Sequence, residues 1–300
     1  MKEKNMTALV SCFARAYHYE HNKYKIFSDS IAKKLLTDKE YQDISLNMQN
    51  GVNFFDKEFT GTKEEALKQI VNTNLSPQVL GRSIFCEDSL KKAIQLGCTQ
   101  YLIFASGYDT FAYRYNINKL QVFEIDQDFM IEDKIKRLKK AHINYQKVNY
   151  IKSDFTKKDW PNSIINTNYK KDELSFSSLL GLSYYLTKED FTNMIKSISK
   201  LITPGSSIIF DYPNKEKCHK QEKITKLANS LNEFMLSTYT YQEIEKILSD
   251  NGFLIYMHLS SKEMTDTYFE TYNILNPDNI IKAPRGVSYC LAVKNVKYQK

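Results

Sequence analysis

Three short segments in the middle of the chain combine small, acidic and aromatic residues, and together they suit a nucleoside ligand. A tight turn at Gly107 follows the apolar run 101–105, and Asp126 ends the next apolar run. Asp154 and Phe155 end the third. If these runs are parallel strands, their ends meet at one edge of a sheet, where a small-residue turn lets a ligand approach backbone amides. Acidic side chains there can accept hydrogen bonds from ribose hydroxyls and from an adenine amine.

The turn itself discriminates between nucleotide cofactors. A dinucleotide needs the pattern G-x-G-x-x-G to hold its pyrophosphate, whereas this turn has a single glycine, Gly107. Asp109 stands where a phosphate would come close, and its carboxylate would repel one. S-Adenosyl-L-methionine has no phosphate and carries a positive sulfonium and a positive ammonium, so nearby acidic residues suit it. The residues therefore favour this methyl donor as the cofactor.

Alternating apolar runs and helices must position these segments. Strands are predicted at 101–105, 122–125, 149–155, 174–180 and 207–211, with an amphipathic helix over 128–141 and another from Thr187. This alternation predicts a parallel sheet with helices on both faces. Residues 253–259 and 287–294 form a final strand pair with a helix over 262–272 between them. The predicted fold class is α/β, a doubly wound, mostly parallel sheet whose last strand is antiparallel.

The first 96 residues have only helical patterns. Helices are predicted over 6–20 and 29–36, and Thr62 with Glu65 forms a capping box for a third. Ser76 is predicted as the N-cap of a long helix that Gly97 closes. Residues 1–96 are thus predicted to be a helical extension or lid packed on a main domain, residues 97–300. That domain would contain a helical insertion at about 214–240, with a helix over 218–236. A second helix, capped by Thr240 and Glu243, would follow the insertion and stop at Gly252.

Composition and charge exclude several classes of protein. The 300 residues are 42% hydrophobic, and the formal charge of +7 comes mostly from lysines spread along the chain. The one dense basic cluster, 134–140, is interpreted as a solvated helix face, so no nucleic-acid partner is expected. Five isolated cysteines without a CxxC pair indicate neither disulfides nor a zinc site. No apolar run reaches 18 residues, so we expect no membrane partner and a cytoplasmic protein.

Several motifs resemble one known family. They are Arg82, Gln100, the run 107–114, which reads Gly-Tyr-Asp-Thr-Phe-Ala-Tyr-Arg, and the run 123–126, which reads Phe-Glu-Ile-Asp. The chain is similar in these positions to the leucine carboxyl methyltransferase-like family, a group of class I S-adenosylmethionine-dependent methyltransferases that includes polyketide-tailoring O-methyltransferases. The resemblance extends from about residue 7 to 293.

The resemblance implies a cofactor role for six residues. The guanidinium of Arg82 would pair with the carboxylate of the donor's methionine part. The backbone at Ala105 and Gly107 would line the amino-acid half, Asp126 would hold the ribose, and Asp154 with Phe155 the adenine. The role expected for Arg114 is architectural, as an ion pair that ties down the loop and includes Asp109 as a candidate partner.

The chain departs from the family at two positions. The family usually has Gly where Ala105 stands, so the backbone is expected slightly farther from the cofactor. It usually has Glu where Leu180 stands, and that Glu contributes to the cofactor site. The change at Leu180 leaves open a catalytically silent binding or regulatory protein.

The acceptor side offers few candidates for acid–base chemistry. Methyl transfer is an in-line displacement that depends mainly on positioning, and a carboxylate acceptor needs no base. A phenol or alcohol would use one. Tyr185 and Tyr212 are the candidate catalytic residues, with packed aromatics as the alternative reading. His18 and His21 are interpreted as exposed on a helix face, and since they lack a third ligand no metal is expected.

The function expected from the sequence is S-adenosylmethionine-dependent O-methylation of a small-molecule carboxylate or hydroxyl. Its partner would be that small acceptor, and the protein would be a monomer or homodimer. The N-terminal helices and the segment 214–239 would form the substrate wall. Protein C-terminal carboxyl methylation is the second enzymatic possibility.

Overall fold

Seven strands form one sheet in the computed structural model, which describes residues 6–116, 119–216 and 235–296. The strands are β1 (Gln100–Phe104), β2 (Gln121–Asp126), β3 (Asn149–Lys152), β4 (Ser175–Leu179), β5 (Ser207–Pro213), β6 (Phe253–Leu259) and β7 (Val287–Lys294). Their order is β3-β2-β1-β4-β5-β7-β6. Strands β1 to β5 pair in parallel, and β7 is antiparallel to both β5 and β6. The predicted fold class is confirmed, including the antiparallel last strand.

Predicted and observed strands agree closely except at the end of β3. The prediction ran to Phe155, whereas the strand ends at Lys152. Beyond it, Ser153 still donates to the backbone oxygen of Asp126, but the Asp154 carboxylate accepts the backbone N–H of Thr156 and turns the chain. This aspartate turn ends the strand, because it replaces a ladder bond by a local side-chain bond.

Helices surround the sheet. The longer ones are α1 (Met6–His21), α2 (Asp38–Asn50), α4 (Lys63–Ile70), α5 (Ser76–Gln95), α7 (Asp128–Lys140), α9 (Lys188–Leu201) and α10 (Tyr241–Asp250). Short ones are α3 (Val52–Phe55), α6 (Phe111–Arg114), α8 (Asn162–Ile165), α11 (Ser261–Met264) and α12 (Glu270–Leu275). The capping boxes at Thr62 and Thr240 are confirmed. The predicted helix over 218–236 falls mostly on residues 217–234, outside the described residues.

The N-terminal helices differ from the prediction in three places. The segment predicted as a helix over 29–36 has only a 3-10 turn, Ala32–Leu35. Helix α2 was not predicted, although a capping box of Thr37 and Glu40 begins it. Ser76 is not an N-cap, because a π-helical segment (Val71–Leu75) joins α4 to α5 and keeps the backbone helical through that position. Within a continuous helix the backbone N–H groups already donate to carbonyl groups of the preceding turn, so no side-chain cap is needed there.

Strand alternation divides the core between two faces of the sheet. Leu80 and Phe85 of α5 share a buried cluster with Tyr101 of β1. Leu102, the next residue of β1, belongs instead to a second cluster with Phe191 of α9. Helices therefore cover both faces, as a doubly wound fold requires. The carboxyl edge of the sheet lies between these layers.

The basic segment 134–140 is not a solvated face throughout. Lys134 is completely buried, and its Nζ lies 2.5 Å from Oε2 of Glu124 on β2. Burial raises the pKa of Glu124 to about 7, although Lys134 opposes this shift. Arg137 forms an ion pair with Glu40 of α2 at 2.7 Å. One side of α7 therefore supplies a buried cation, Lys134, that pairs with β2 and a half-buried one, Arg137, that pairs with α2, while Lys140 remains exposed.

The interpretation of His18 as exposed is wrong. Its ring is fully buried, and Nε2 accepts the backbone N–H of Ile26 at 2.9 Å. Burial lowers the pKa of His18 to about 4, with the nearby Lys25 charge adding to the effect. The ring therefore closes the loop after α1 as a neutral hydrogen-bond acceptor. His21, one turn later, is exposed as predicted.

We expect His18 to make stability depend on pH. Its pKa is lower in the folded chain than in the unfolded chain, so its contribution is complete above pH 6.5 and is lost as the pH falls toward 4. Between pH 7 and pH 4.5 the free energy of unfolding should fall by about 2 kcal/mol less in His18→Gln than in the wild type. Urea denaturation at the two pH values measures this difference. The matched variant His21→Gln, on the same helix, should keep the wild-type loss. An unchanged pH dependence in His18→Gln would contradict the assignment.

Candidate functional site

A cavity of about 350 Å³ lies at the carboxyl edge of the sheet. The ends of β1, β2 and β4 form its floor, while α1 and α5 contribute walls. Six of the eight residues predicted for the site line it: Arg82, Ala105, Gly107, Asp126, Phe155 and Tyr185. The volume falls in the range of small-molecule sites, and the position is that of ligand sites in open parallel sheets.

The turn after β1 brings backbone and carboxylate together. Ala105 and Gly107 both have left-handed backbone angles, with φ of 51° and 47°. The Gly107 N–H donates to Oδ2 of Asp126 at 2.7 Å, and the Gln127 N–H donates to Oδ1 at the same distance. Burial raises the pKa of Asp126, while these two backbone donors oppose that shift. Each carboxylate oxygen can accept a further hydrogen bond, so a ligand hydroxyl can still be held.

Ala105 is strained in this turn, and Ala105→Gly should relieve the strain. A left-handed conformation costs an L-residue roughly 1 to 2 kcal/mol. Glycine avoids this cost, but its greater conformational freedom in the unfolded chain offsets part of the gain. We expect the free energy of unfolding to rise by about 0.5 to 1 kcal/mol in urea denaturation. His142→Gly, at an exposed position with φ of 54°, is the matched comparison and should also be stabilising. A destabilised Ala105→Gly variant would show that the Ala105 methyl group has a packing role.

Arg82 reaches the cavity from α5. Its Nη2 donates to Oγ of Ser11 on α1 at 3.1 Å, and its Nη1 lies 3.7 Å from Oδ2 of Asp211. Gly181 lets the guanidinium pass, because a Cβ at this position would collide with it. The remaining N–H groups of Arg82 are available to a ligand, since a guanidinium has five.

Asp211 is a functional candidate that the sequence reasoning missed. It is completely buried on β5, and its Oδ1 accepts the Gly181 N–H at 2.6 Å. Its Oδ2 accepts the Tyr184 hydroxyl at 2.9 Å. The carboxylate thereby fixes both Arg82 and the segment after β4. A charged residue ending the apolar run 207–210 was the available signal.

Helix α1 is tied to the turn by a second buried group of charges. Nε of Arg15 is 2.8 Å from Oδ2 of Asp29, and its Nη2 donates to the backbone oxygen of Tyr108 at 2.6 Å. Asp29 also accepts the Thr110 hydroxyl at 2.7 Å. Arg15 lines the cavity, so this pair joins the N-terminal segment to the wall of the site. The sequence reasoning gave Arg15 and Asp29 no role.

The architectural role expected for Arg114 is served by partners other than Asp109. Its guanidinium forms a close ion pair with Glu87 of α5, and its Nε lies 3.6 Å from Asp29. Asp109 instead uses Oδ1 to accept the Phe111 N–H at 2.8 Å. The turn places Asp109 on the cavity wall, whereas Arg114 points toward α5.

Two predicted residues do not line the cavity. Asp154 precedes Phe155, but its carboxylate bonds to the N–H and the hydroxyl of Thr156, so its contact with adenine stays a prediction. The expectation that Tyr212 faces the pocket is wrong. Strand alternation puts Tyr212 on the opposite face from Asp211, where it is buried with its hydroxyl 2.8 Å from Nε2 of His258.

The lining fits a compact, mixed-charge nucleoside ligand. It combines two guanidinium groups (Arg15 and Arg82), two carboxylates (Asp109 and Asp126) and an aromatic ring, Phe155. Ser106 also lines the cavity, and its buried hydroxyl has no hydrogen-bond partner within the described part of the chain. Among residues 6–116, 119–216 and 235–296, no cluster of three or more metal-binding side chains is found.

Fold and site together define a class I methyltransferase. The family model for leucine carboxyl methyltransferase matches residues 8–199, and the chain belongs to that family. It is 37% identical to a Bacillus subtilis (strain 168) protein named "Putative S-adenosyl-L-methionine-dependent methyltransferase YktD". The alignment covers 97% of this chain and 98% of that protein. A Mycobacterium marinum protein with the same class name is 30% identical over 46% of this chain and 47% of its own. The chain is thus an S-adenosylmethionine-dependent methyltransferase.

Solved structures share the fold at low sequence identity. The crystal structure of a "putative methyltransferase" from Thermobifida fusca YX has a TM-score of 0.56 and 16% identity, covering 96% of this chain and 94% of that one. A duf574 family protein from Streptomyces avermitilis MA-4680 also has a TM-score of 0.56, with 12% identity over 95% of this chain and 97% of its own. In the described residues no helix has the length and apolar content of a membrane span.

Proposed function

We propose that the protein is an S-adenosylmethionine-dependent O-methyltransferase that acts on a small-molecule carboxylate or hydroxyl. One observation carries the proposal. The wall suited to the donor, with Ala105, Asp126 and Phe155, and a second wall with Leu182 and Tyr185 belong to the same cavity. A donor on the first wall would leave the second wall for an acceptor of limited size.

The donor supplies an electrophilic methyl group on a positive sulfonium, and the protein's own residues hold and orient it. Arg82 would bind the donor's carboxylate, and the backbone at Ala105 and Gly107 would line its amino-acid half. Asp126 would bind the ribose hydroxyls through its remaining lone pairs. Phe155, with Asp154 beside it, would flank the adenine.

The acceptor chemistry follows from the groups that face the cavity. A carboxylate acceptor is already ionised at neutral pH and reacts without a general base. Tyr185, half-buried in the lining, would orient the acceptor toward the methyl group. Positioning of this kind is the main contribution a protein makes to an in-line displacement.

The N-terminal extension would act as a lid over this reaction. Thr7, Ala8 and Ser11 of α1 line the cavity, and Ala8 lies against the turn at Gly107. We place the boundary between the extension and the main domain at residues 96 and 97, directly before β1. Exclusion of water by such a cover strengthens the charge interactions inside the cavity.

Calorimetric titration comes first as a test of donor binding. S-Adenosylmethionine and S-adenosylhomocysteine should bind with micromolar affinity, whereas NADH and ATP should not bind. Methyl transfer from isotopically labelled donor is then measured with small aromatic and aliphatic carboxylic acids, small phenols, and peptides with a free C-terminal carboxylate.

The set of acceptors distinguishes three functions: methylation of a small molecule, methylation of a protein C-terminus, and donor binding without catalysis. Label in a small acid or phenol, lost in Tyr185→Ala with donor binding intact, is the expected result. Label in peptides alone would replace the proposal with protein C-terminal carboxyl methylation. Micromolar donor binding without transfer to any acceptor would favour a catalytically silent binding protein.

A further inference from the structure

We infer that Glu124 is a positioning residue for the donor site, because its carboxylate engages the buried cation Lys134 and so leaves Asp126 free for a ligand. This inference rests on the donor site proposed above and concerns a residue that does not itself line the cavity. The observation behind it is a fully buried ion pair. Both side chains are completely buried, and Nζ of Lys134 lies 2.5 Å from Oε2 of Glu124.

Lys134 lies near two carboxylates of the same strand. Glu124 and Asp126 are two residues apart on β2, so their side chains leave the same face of the sheet, which Lys134 reaches from α7. Burial raises the pKa of Asp126, and the charge of Lys134 is among the influences that oppose this shift. Within the part of the chain that the structure describes, only Glu124 has a carboxylate within 4 Å of the lysine nitrogen. The lysine therefore pairs with Glu124 and influences Asp126 from a distance.

Two tyrosines hold the Glu124 carboxylate in place. The hydroxyl of Tyr113 on α6 donates to Oε1 of Glu124 at 3.1 Å and lies 2.6 Å from the hydroxyl of Tyr150. Tyr150 is the residue of β3 that pairs with Glu124 in the sheet. The Tyr113 ring also lies 5.7 Å from Nζ of Lys134, a distance at which a cation and an aromatic face attract. One carboxylate oxygen thus accepts from a tyrosine, and the other faces the lysine.

The charge of Glu124 decides where the lysine charge acts. Four ionisable groups influence Glu124 from the elements around it: Lys134, Tyr113, Tyr150 and Asp109. Burial raises the pKa of Glu124 to about 7, while Lys134 opposes the shift and Asp109 adds to it. At lower pH Glu124 takes up a proton, and a buried cation without a counter-charge is costly. Asp126, on the same face, would then attract the lysine, in competition with the Gly107 N–H and the ribose.

Calorimetric titration of a single and a double variant tests the inference. Glu124→Gln should bind S-adenosylmethionine at least about tenfold more weakly than wild type, since the lysine loses its counter-charge. Adding Lys134→Met removes the unpaired cation at similar side-chain length, so the double variant should bind the donor within about threefold of wild type. The control is Glu132→Gln, on the exposed side of α7, where Glu132 pairs with Lys152 at 3.0 Å. This change should alter donor affinity less than about twofold.

The pH dependence of ligand binding gives a second measurement. The ligand is 5′-methylthioadenosine, which has no group that titrates between pH 6 and pH 8, so a change reports on the protein. Wild-type affinity should fall about tenfold from pH 8 to pH 6, as uptake of one proton with a pKa of about 7 requires. In Lys134→Met no buried cation remains near Asp126, and the fall should be less than about twofold.

Three results would overturn the inference while wild-type donor binding upholds the proposed site. They are unchanged binding in Glu124→Gln, a folded double variant as weak as the single one, and a pH dependence that persists in Lys134→Met. The pH comparison does not need Glu124→Gln, so it decides the question if that variant fails to fold. A wild-type protein that binds neither S-adenosylmethionine nor S-adenosylhomocysteine would overturn the donor site and this inference together.

Discussion

Replacing Asp29 with Ala should lower the free energy of unfolding by about 3 to 5 kcal/mol, the usual cost of removing one partner from a buried ion pair. Asp29 is completely buried and lies 2.8 Å from Nε of Arg15 and 3.6 Å from Nε of Arg114. It also accepts the Thr110 hydroxyl and the backbone N–H groups of residues 31 and 32. Without it, two guanidinium groups lose a shared counter-charge in the interior.

Urea denaturation measures this loss, with Asp250→Ala as the control. Asp250 pairs with Lys246 on the exposed face of α10, where an ion pair contributes about 0.5 kcal/mol or less. The loss of stability in Asp29→Asn should lie between the losses in Asp29→Ala and Asp250→Ala, since asparagine keeps an acceptor for hydrogen bonds but not the charge. A loss below about 1 kcal/mol in Asp29→Ala would show that water or a rearrangement compensates both arginines.

Asp126→Ala should weaken the binding of S-adenosylmethionine by at least about 100-fold, since charge-assisted hydrogen bonds contribute roughly 1.5 to 3 kcal/mol each. Two effects combine in this residue. Its carboxylate fixes the turn through the Gly107 N–H, and the same carboxylate would bind the ribose. The binding of 5′-methylthioadenosine, which lacks the donor's amino-acid part, should weaken equally, because the adenosine half is affected.

Calorimetric titration of Asp126→Ala is compared with Asp128→Ala. Asp128 lies two residues away, is exposed, and pairs with Lys152 at the surface. Its removal should change donor affinity less than twofold. If Asp126→Ala bound the donor within tenfold of wild type, the ribose contact would have to come from another residue, and the assignment of Asp126 would be wrong.

The sheet could be predicted from the sequence because its signals are local. A run such as 101–105 is apolar, of strand length, and bounded by turn residues. The capping box at Thr62 likewise needs only residues three apart. The residues of the donor wall could be predicted from the order of these strands along the chain, since the ends of successive parallel strands meet at one edge of the sheet.

The errors concern residues whose environment depends on distant segments. Nothing local distinguishes Lys134, fully buried against Glu124, from the exposed lysines later in the same helix. His18 depends in the same way on the loop that folds back to Ile26. At Tyr212 the period of two places adjacent side chains on opposite faces, but only the packed helices decide which face borders the cavity.

The bond between Arg15 and the Tyr108 carbonyl spans 93 residues, and the bond between Gly181 and Asp211 joins the segment after β4 to the fifth strand. During synthesis the first helix therefore emerges long before its partners do, and the donor pocket is incomplete until β5 has left the ribosome. Contacts this distant in sequence form late and slowly. We expect nascent chains shorter than about 211 residues to gain no protection from the methyl donor, so the cofactor can stabilise the finished protein but cannot guide its early folding.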